Sequence, residues 1–296
     1  MKPYGFLFST FRGEADPFSE QVYFGLSRDG KNWSACNAGK PCIVSKVGEQ
    51  GMRDPFVLRS HDSQTFWLIA TDLSINRNSN WERAVREGSR SILVSESKDL
   101  VNWSEPRLVQ VAAEDAGCAW APEAIYDPVA GDYLVFWAST AKRDDFQKQR
   151  IWAAHTKDFR TFGKSFIYID HPHHTIDTTM VWDGRAFYRF TKDEKFKAIT
   201  MERADKVAGP WTDVAGFNLG KLVGYEGPFC FALEPGTWCL LLDHYAEGRG
   251  YQPFICRDLS TGNYEPVTGF SFPFKFRHGS VLALTESEYR RIESEL

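Results

Sequence analysis

Residues 96–104 read ESKDLVNWS, and the pattern returns four more times: LSRDGKNWS at 26–34, HTKDFRTFG at 155–163, ERADKVAGPWT at 202–212 and CRDLSTGNYEP at 256–266. Each copy ends a strand-like run with an Asp and places an aromatic four or six residues later, giving Trp33, Trp103, Phe162, Trp211 and Tyr264. An Asp at such a point accepts hydrogen bonds from the backbone just beyond it and turns the chain. The aromatics are 70, 59, 49 and 53 residues apart. These spacings start near the roughly 40–50 residues of a four-stranded propeller blade and exceed it where loops are inserted. Five copies predict five blades.

Between the turns lie apolar runs of strand length, among them TFWLIATD, SILVSES, DYLVFWAS, IWAAHT, AFYRFT and TWCLLLDHY. Segments with helical periodicity are nearly absent. The expectation is an all-β chain, a five-bladed β-propeller forming a single domain over residues 1–296. The run RHGSVLAL at 277–284 has no turn motif after it, whereas the motif at Asp29 comes before the first acidic strand start. The C-terminal strand therefore completes the blade begun by residues 1–45, and pairing of the N- and C-terminal strands closes the ring. Two polar stretches, 74–90 and 141–150, are expected as loop insertions, one of which could wall a pocket. Thr285 followed by Glu288 forms a capping-box pattern for a short C-terminal helix.

Hydrophobic residues make up 43% of the chain and charged residues 25%, a globular composition. The net charge of −4 and the lack of a dense Lys/Arg run argue against nucleic acid or an anionic membrane surface as partner. No apolar run approaches the roughly 18 residues of a membrane span. The opening MKPYGFLFSTF lacks the apolar core of a secretory signal, which predicts a cytoplasmic location, or a secreted or periplasmic one if a signal has been removed. The six cysteines, Cys36, Cys42, Cys118, Cys230, Cys239 and Cys256, have no CxxC spacing and are expected as buried free thiols.

The run that opens each repeat starts in a telling way: RDPFVL at 53, APEAIYD at 121, IDTTMVW at 176, EGPFCFAL at 226 and RHGSVLAL at 277. Four carry a carboxylate and the fifth a His. In a propeller the first strand of each blade lines the central channel, so these starts converge at one mouth of it. Carboxylates gathered in one cleft cannot all ionise freely, because burial and mutual repulsion drive their pKa values apart. Glycoside hydrolysis uses such a set, one carboxylic acid protonating the leaving oxygen and one carboxylate activating water. An Asp before Pro alone is as well explained by a turn; the recurrence of acids at one point of successive repeats is what favours chemistry.

At these residues the chain resembles glycoside hydrolase family 43, whose members are five-bladed propellers. The resemblance implies a general base at Asp54 in RDPFVLRS, an orienting and pKa-modulating Asp177 in TIDTTMVW, and a general acid at Glu226 in EGPFCF. It also implies that Glu123 of WAPEAIYD lines the pocket as a substrate contact, and that His278 of RHGS stands in the channel near a bound ion, such as Ca, or water. The tuning motif reads Ile-Asp-Thr where the family has Ile-Asp-Pro, and about fifty residues precede the base.

The implied chemistry is a single inverting displacement at an exo-acting site that needs no cofactor. The substrate would be a small oligosaccharide or glycan side chain, with α-L-arabinofuranosidase activity first and β-xylosidase second. Arg249, in YAEGRGYQPF, and Trp137 are further candidate sugar contacts. His171, His173 and His174 of HPHH fit no zinc pattern and read as a polar loop. A retaining fructan or sucrose hydrolase would need an early Asp nucleophile, for which only Asp16 in GEADPFSE is on offer. A non-catalytic sugar-binding propeller would not need all three carboxylates.

Overall fold

The computed structural model describes residues 2–296. Its strands form five four-stranded antiparallel sheets. Counting blades from the first complete one, the innermost strands are Met52–Arg59, Trp120–Asp127, Thr175–Trp182 and Glu226–Glu234, followed by Ser280–Leu284 in blade 5. Blade 5 is the split one: Ser280–Leu284 pairs antiparallel with Gly5–Thr10, Ser9 opposite Ser280 and Gly5 opposite Leu284. The predicted closure by the two termini is therefore present, and every inner strand pairs with the second strand of its own blade.

The core lies in five seams, one between each pair of neighbouring blades, because every blade is covered on both faces. In the blade 2 strand Asp132–Ser139, Tyr133, Val135 and Trp137 pack toward Leu58, Trp67 and Ile92 of blade 1. The alternate residues Leu134, Phe136 and Ala138 pack toward Phe187 and Val207 of blade 3. A strand buried on both faces loses its polar alternation and reads as the continuous apolar run seen in the sequence. Five of the cysteines are buried in these seams or beside them, and Cys42 is half-buried; all six are free thiols.

The repeated Asp residues form the turns between third and fourth strands. Asp99 Oδ1 accepts from the backbone N–H of Val101 and Asn102, while Ser97 Oγ accepts from Leu100 N–H. Asp29 and Asp158 repeat this arrangement with Ser27 and Thr156. Asp205 departs from it, its side chain meeting only Arg203. Because strands alternate in direction, these turns lie at the opposite end of the ring from the starts of the inner strands. The C-terminal helix Glu286–Glu295 carries the full capping box of Thr285 and Glu288.

The 74–90 insertion is not all loop. It contains the helix Trp81–Arg86, N-capped by the Asn80 side chain and tied down by a two-pronged ion pair from Arg83 to Glu49 at 2.7 and 2.8 Å.

Candidate active site

Four of the five inner strands begin with a β-bulge at which one residue adopts left-handed φ: Asp54 (φ 51°), Ala121 (47°), Asp177 (49°) and Gly227 (53°). For a residue with a Cβ this costs on the order of 1–3 kcal/mol and is kept only where the surroundings impose it. Pro55, Pro122 and Pro228 follow three of the bulges, where the missing N–H costs no ladder bond. Thr178 follows the fourth and uses its hydroxyl against Thr191 Oγ1 at 3.0 Å. The bulge turns the strand start and aims its side chain at the channel mouth.

Aligning the bulges corrects the expectation that the acids share one point of the repeat. They occupy three levels. Asp54 and Asp177 stand at the bulge itself, in register with Ala121, Gly227 and, by sequence, His278. Glu226 lies one residue earlier, toward solvent, level with Arg53, Trp120, Ile176 and Arg277. Glu123 lies two residues deeper, level with Phe56, Thr179 and Phe229.

The residues of the upper two levels, all but Gly227 and Arg277, line a cavity of about 270 Å³. Its walls come from the loops between second and third strands: Phe11, then Trp81 and Val85 of the inserted helix, Gln149 of the second insertion, and Glu194. Trp81 and Trp120 stand edge to face with ring centres 6.1 Å apart. Amphipathic rings beside carboxylates suit the apolar face of a sugar.

His278 links the two bulge carboxylates, its Nδ1 3.4 Å from Asp54 Oδ1 and 4.0 Å from Asp177 Oδ2. Burial alone would lower its pKa, but Asp177 and Asp54 outweigh this and raise it to about 9, so the ring is an imidazolium at neutral pH. The ring lies over Gly227, whose Cβ, if present, would be 2.6 Å from His278 Cγ. Gly227 N–H donates to Asp177 Oδ2 at 3.0 Å. The Glu-Gly-Pro motif thus has a local reason: only glycine gives the left-handed turn and the room for His278.

Asp54 also accepts from Thr71 Oγ1 at 2.8 Å. Burial would raise its pKa, yet His278, Arg53 and Thr71 together hold it below the ordinary aspartate value. Asp177 moves the other way. Burial raises it to about 6, with the charges of Glu226 and Asp54 adding to the rise against His278 and Lys192. Two aspartates at matching positions are thereby set apart, one held below the ordinary aspartate value and one raised to about 6.

Glu226 is partly exposed and held by two cations, Lys192 Nζ at 2.9 Å from Oε2 and Arg277 Nη2 at 3.2 Å from Oε1. Lys192 is buried, also bonds Glu194 Oε1 at 2.8 Å and faces the Tyr245 ring at 4.4 Å. Burial opposes its charge, but Glu226, Asp177 and Glu194 raise its pKa above the ordinary lysine value. Arg277 is anchored by Asp243 Oδ2 at 2.6 Å. Sequence reading passed over these two cations and Trp81. Arg277 adjoins His278 in the quoted motif, which was a usable signal; Lys192 shares the run FYRFTKD with two other charged residues, Arg189 and Asp193, and nothing local singles it out.

A family model described as "Probable glycosyl hydrolase domain", of the family 43-related group, matches residues 2–290. The chain belongs to this glycosyl hydrolase 43-related family. An α-L-arabinofuranosidase of Bifidobacterium longum subsp. longum is 30% identical over 229 residues, covering 65% of this chain and 21% of that protein. The family 43-related chain thus spans about a fifth of that relative's length. Among solved structures, a family 43 β-1,3-galactosidase superposes with a TM-score of 0.56 at 16% identity, covering 77% of this chain and 48% of its own. An exo-β-1,3-galactanase from Clostridium thermocellum does so at 0.55 and 14% identity, covering 76% and 50%. These structural likenesses bear on the fold.

In the family 43-related propeller three expected sugar contacts lie away from the cavity. Glu123 is buried below the lining residues, accepting from Thr179 Oγ1 at 2.9 Å; burial raises its pKa to about 8 and keeps it protonated at neutral pH. Trp137 is 1% exposed because its face of blade 2 packs on blade 1. Arg249 follows the blade 4 strand Thr237–Asp243, where its exposed guanidinium pairs with Glu247 at 2.6 Å outside the lining. At His278, where an ion or water was expected, the ring Nδ1 faces Asp54 and Asp177; among the described residues no three His, Cys, Asp or Glu are grouped to hold a metal. Asp16 caps its own turn through Phe18 and Ser19 and is not a lining residue.

Proposed function

We propose that the chain is an inverting, exo-acting glycoside hydrolase that releases a terminal pentose, with α-L-arabinofuranosides as substrates. The observation that carries this is the convergence of Asp54, Asp177 and Glu226 on one small cavity walled by aromatic rings. Asp54, held ionised, takes the proton of the attacking water. Glu226, at the rim, delivers a proton to the glycosidic oxygen as the bond to the leaving group breaks. Asp177, level with Asp54 and one residue deeper than Glu226, has its pKa raised to about 6, is held by Gly227 N–H and His278, and its charge biases the field felt by Glu226. The reaction written this way uses no cofactor. Arabinose is preferred over xylose on the name of the 30% identical relative.

The test is release of nitrophenol from the α-L-arabinofuranoside, β-D-xyloside and β-D-galactoside, with the product anomer followed by proton NMR. Arabinoside cleavage with inversion supports the reading. Preference for another glycoside replaces the sugar, and retention of configuration overturns the mechanism.

A further inference from the structure

Beside the catalytic cavity lies a larger open basin of about 720 Å³ that shares Gln149 and Glu194 with it as a common wall. A glycosidic bond has a sugar on each side. The inner cavity is hemmed by Trp81, Trp120 and Phe11, and the edge it shares with the basin at Gln149 and Glu194 offers the leaving-side sugar a way on into open space. The charges of the basin set it apart. In a chain of net charge −4, its lining carries Lys148, Lys195 and Lys197 against the single carboxylate of Glu194. Glu194 is already engaged by Lys192 at 2.8 Å and by Lys197. Lys148 pairs with Asp170, which lies outside the lining. Lys195 forms no ion pair among the described residues, and its ammonium stands 5.3 Å from the ring centre of Phe196, which is 57% exposed and meets His173 edge to face. A free ammonium next to an exposed aromatic face is suited to a sugar ring bearing a negative charge.

We propose that this basin seats the leaving-side sugar and takes it in anionic form, as a uronate or a sulfated sugar, with Lys195 as the principal contact; this rests on the glycosidase reading above. The test is binding, which does not depend on turnover. Isothermal titration of the full chain with a galacturonic acid disaccharide and a neutral galactose disaccharide should show the uronate about tenfold tighter at low salt, the size expected of one or two partly exposed charge pairs. The gain should shrink at 0.5 M salt as screening sets in, on the order of a 4 Å Debye length. Lys195→Gln should remove most of it and Lys195→Arg should keep it, both with unchanged melting temperature. A sulfated galactose disaccharide that gains equally identifies charge as the recognised feature; one that gains nothing identifies the carboxylate. Equal affinity for the charged and neutral disaccharides, or a gain that survives Lys195→Gln, overturns the proposal. If no glycoside is hydrolysed yet the uronate preference stands, the fault lies in the catalytic reading and not in the basin.

Discussion

The two ends of this ring have opposite relations to the repeat. At the turn end, Asp29, Asp99 and Asp158 perform one task in one geometry, each collecting backbone N–H groups with help from a neighbouring hydroxyl. At the cavity end the backbone also repeats, four bulges with left-handed φ, but the side chains they carry differ: Asp54, Ala121, Asp177 and Gly227. Repetition of both backbone and side chain marks a structural job. Repetition of the backbone with divergent side chains marks a scaffold on which separate chemical roles are placed.

That contrast breaks most sharply at Asp54 and Glu226. Asp54→Ala and Glu226→Ala are each expected to lower kcat/KM on the cleaved aryl glycoside by about 10²–10⁴-fold, while thermal denaturation shifts by no more than a few degrees. A variant that keeps activity would move the chemistry elsewhere in the cavity. Asp54→Ala also places a second Ala at a left-handed bulge, as Ala121 already is, so the backbone tolerates it.

Gly227→Ala tests the scaffold and not a reacting group. The new Cβ would meet His278 and push the ring away from Asp54 and Asp177. An ångström-scale displacement is expected to cost up to about 10²-fold in kcat and on the order of 1–3 kcal/mol in stability. Loss of stability without loss of rate would show that His278 does not position the two aspartates.

Glu123→Gln separates the buried level from the two above it. The wild-type carboxyl has its pKa raised to about 8 from an ordinary glutamate value of 4.5. Its neutral form therefore supports the fold fully at low pH, and that support is lost as pH rises through about 8. The variant, neutral throughout, should match wild type near pH 5 and melt several degrees higher near pH 8.5. Parallel melting curves over that range would place Glu123 in contact with water.

How much of this was legible in the sequence follows the same division. The five blades and the terminal closure could be read because turn-forming Asp residues and two-sided apolar strands leave patterns in the chain itself. The convergence of Asp54, Asp177 and Glu226 could be read because each begins an inner strand. Their three levels could not, since a bulge shifts register without a reliable mark; three are followed by Pro and the fourth by Thr178. Trp137 misled for a related reason, as nothing in an apolar strand tells which face meets a seam and which a cavity. The walls, Trp81 and Gln149, depend on how two long loops fold over the mouth, and Lys192 on a pairing between neighbouring blades that no local pattern records.

The smallest expected effect lies at the turn end and sharpens the comparison most cleanly. Asp99 has its pKa held down to about 2: slight burial opposes this, and donors from Asn102, Val101 and Ser97 prevail. Its contribution is therefore complete above the ordinary aspartate value and is lost as pH falls toward 2. Asp99→Ala should cost about 1 kcal/mol, the usual worth of such side-chain-to-backbone bonds, a drop of about 2–4 °C for a chain of this size. Activity should stay within about twofold of wild type. Asp205 occupies the same point of its repeat but meets only an exposed Arg203, so Asp205→Ala should cost about a few tenths of a kcal/mol at most. Equal losses at the two positions would mean that the fold responds to the Asp itself and not to the bonds it makes. Unequal losses with unchanged turnover would show that the turn end carries structure alone, leaving the chemistry to the divergent end.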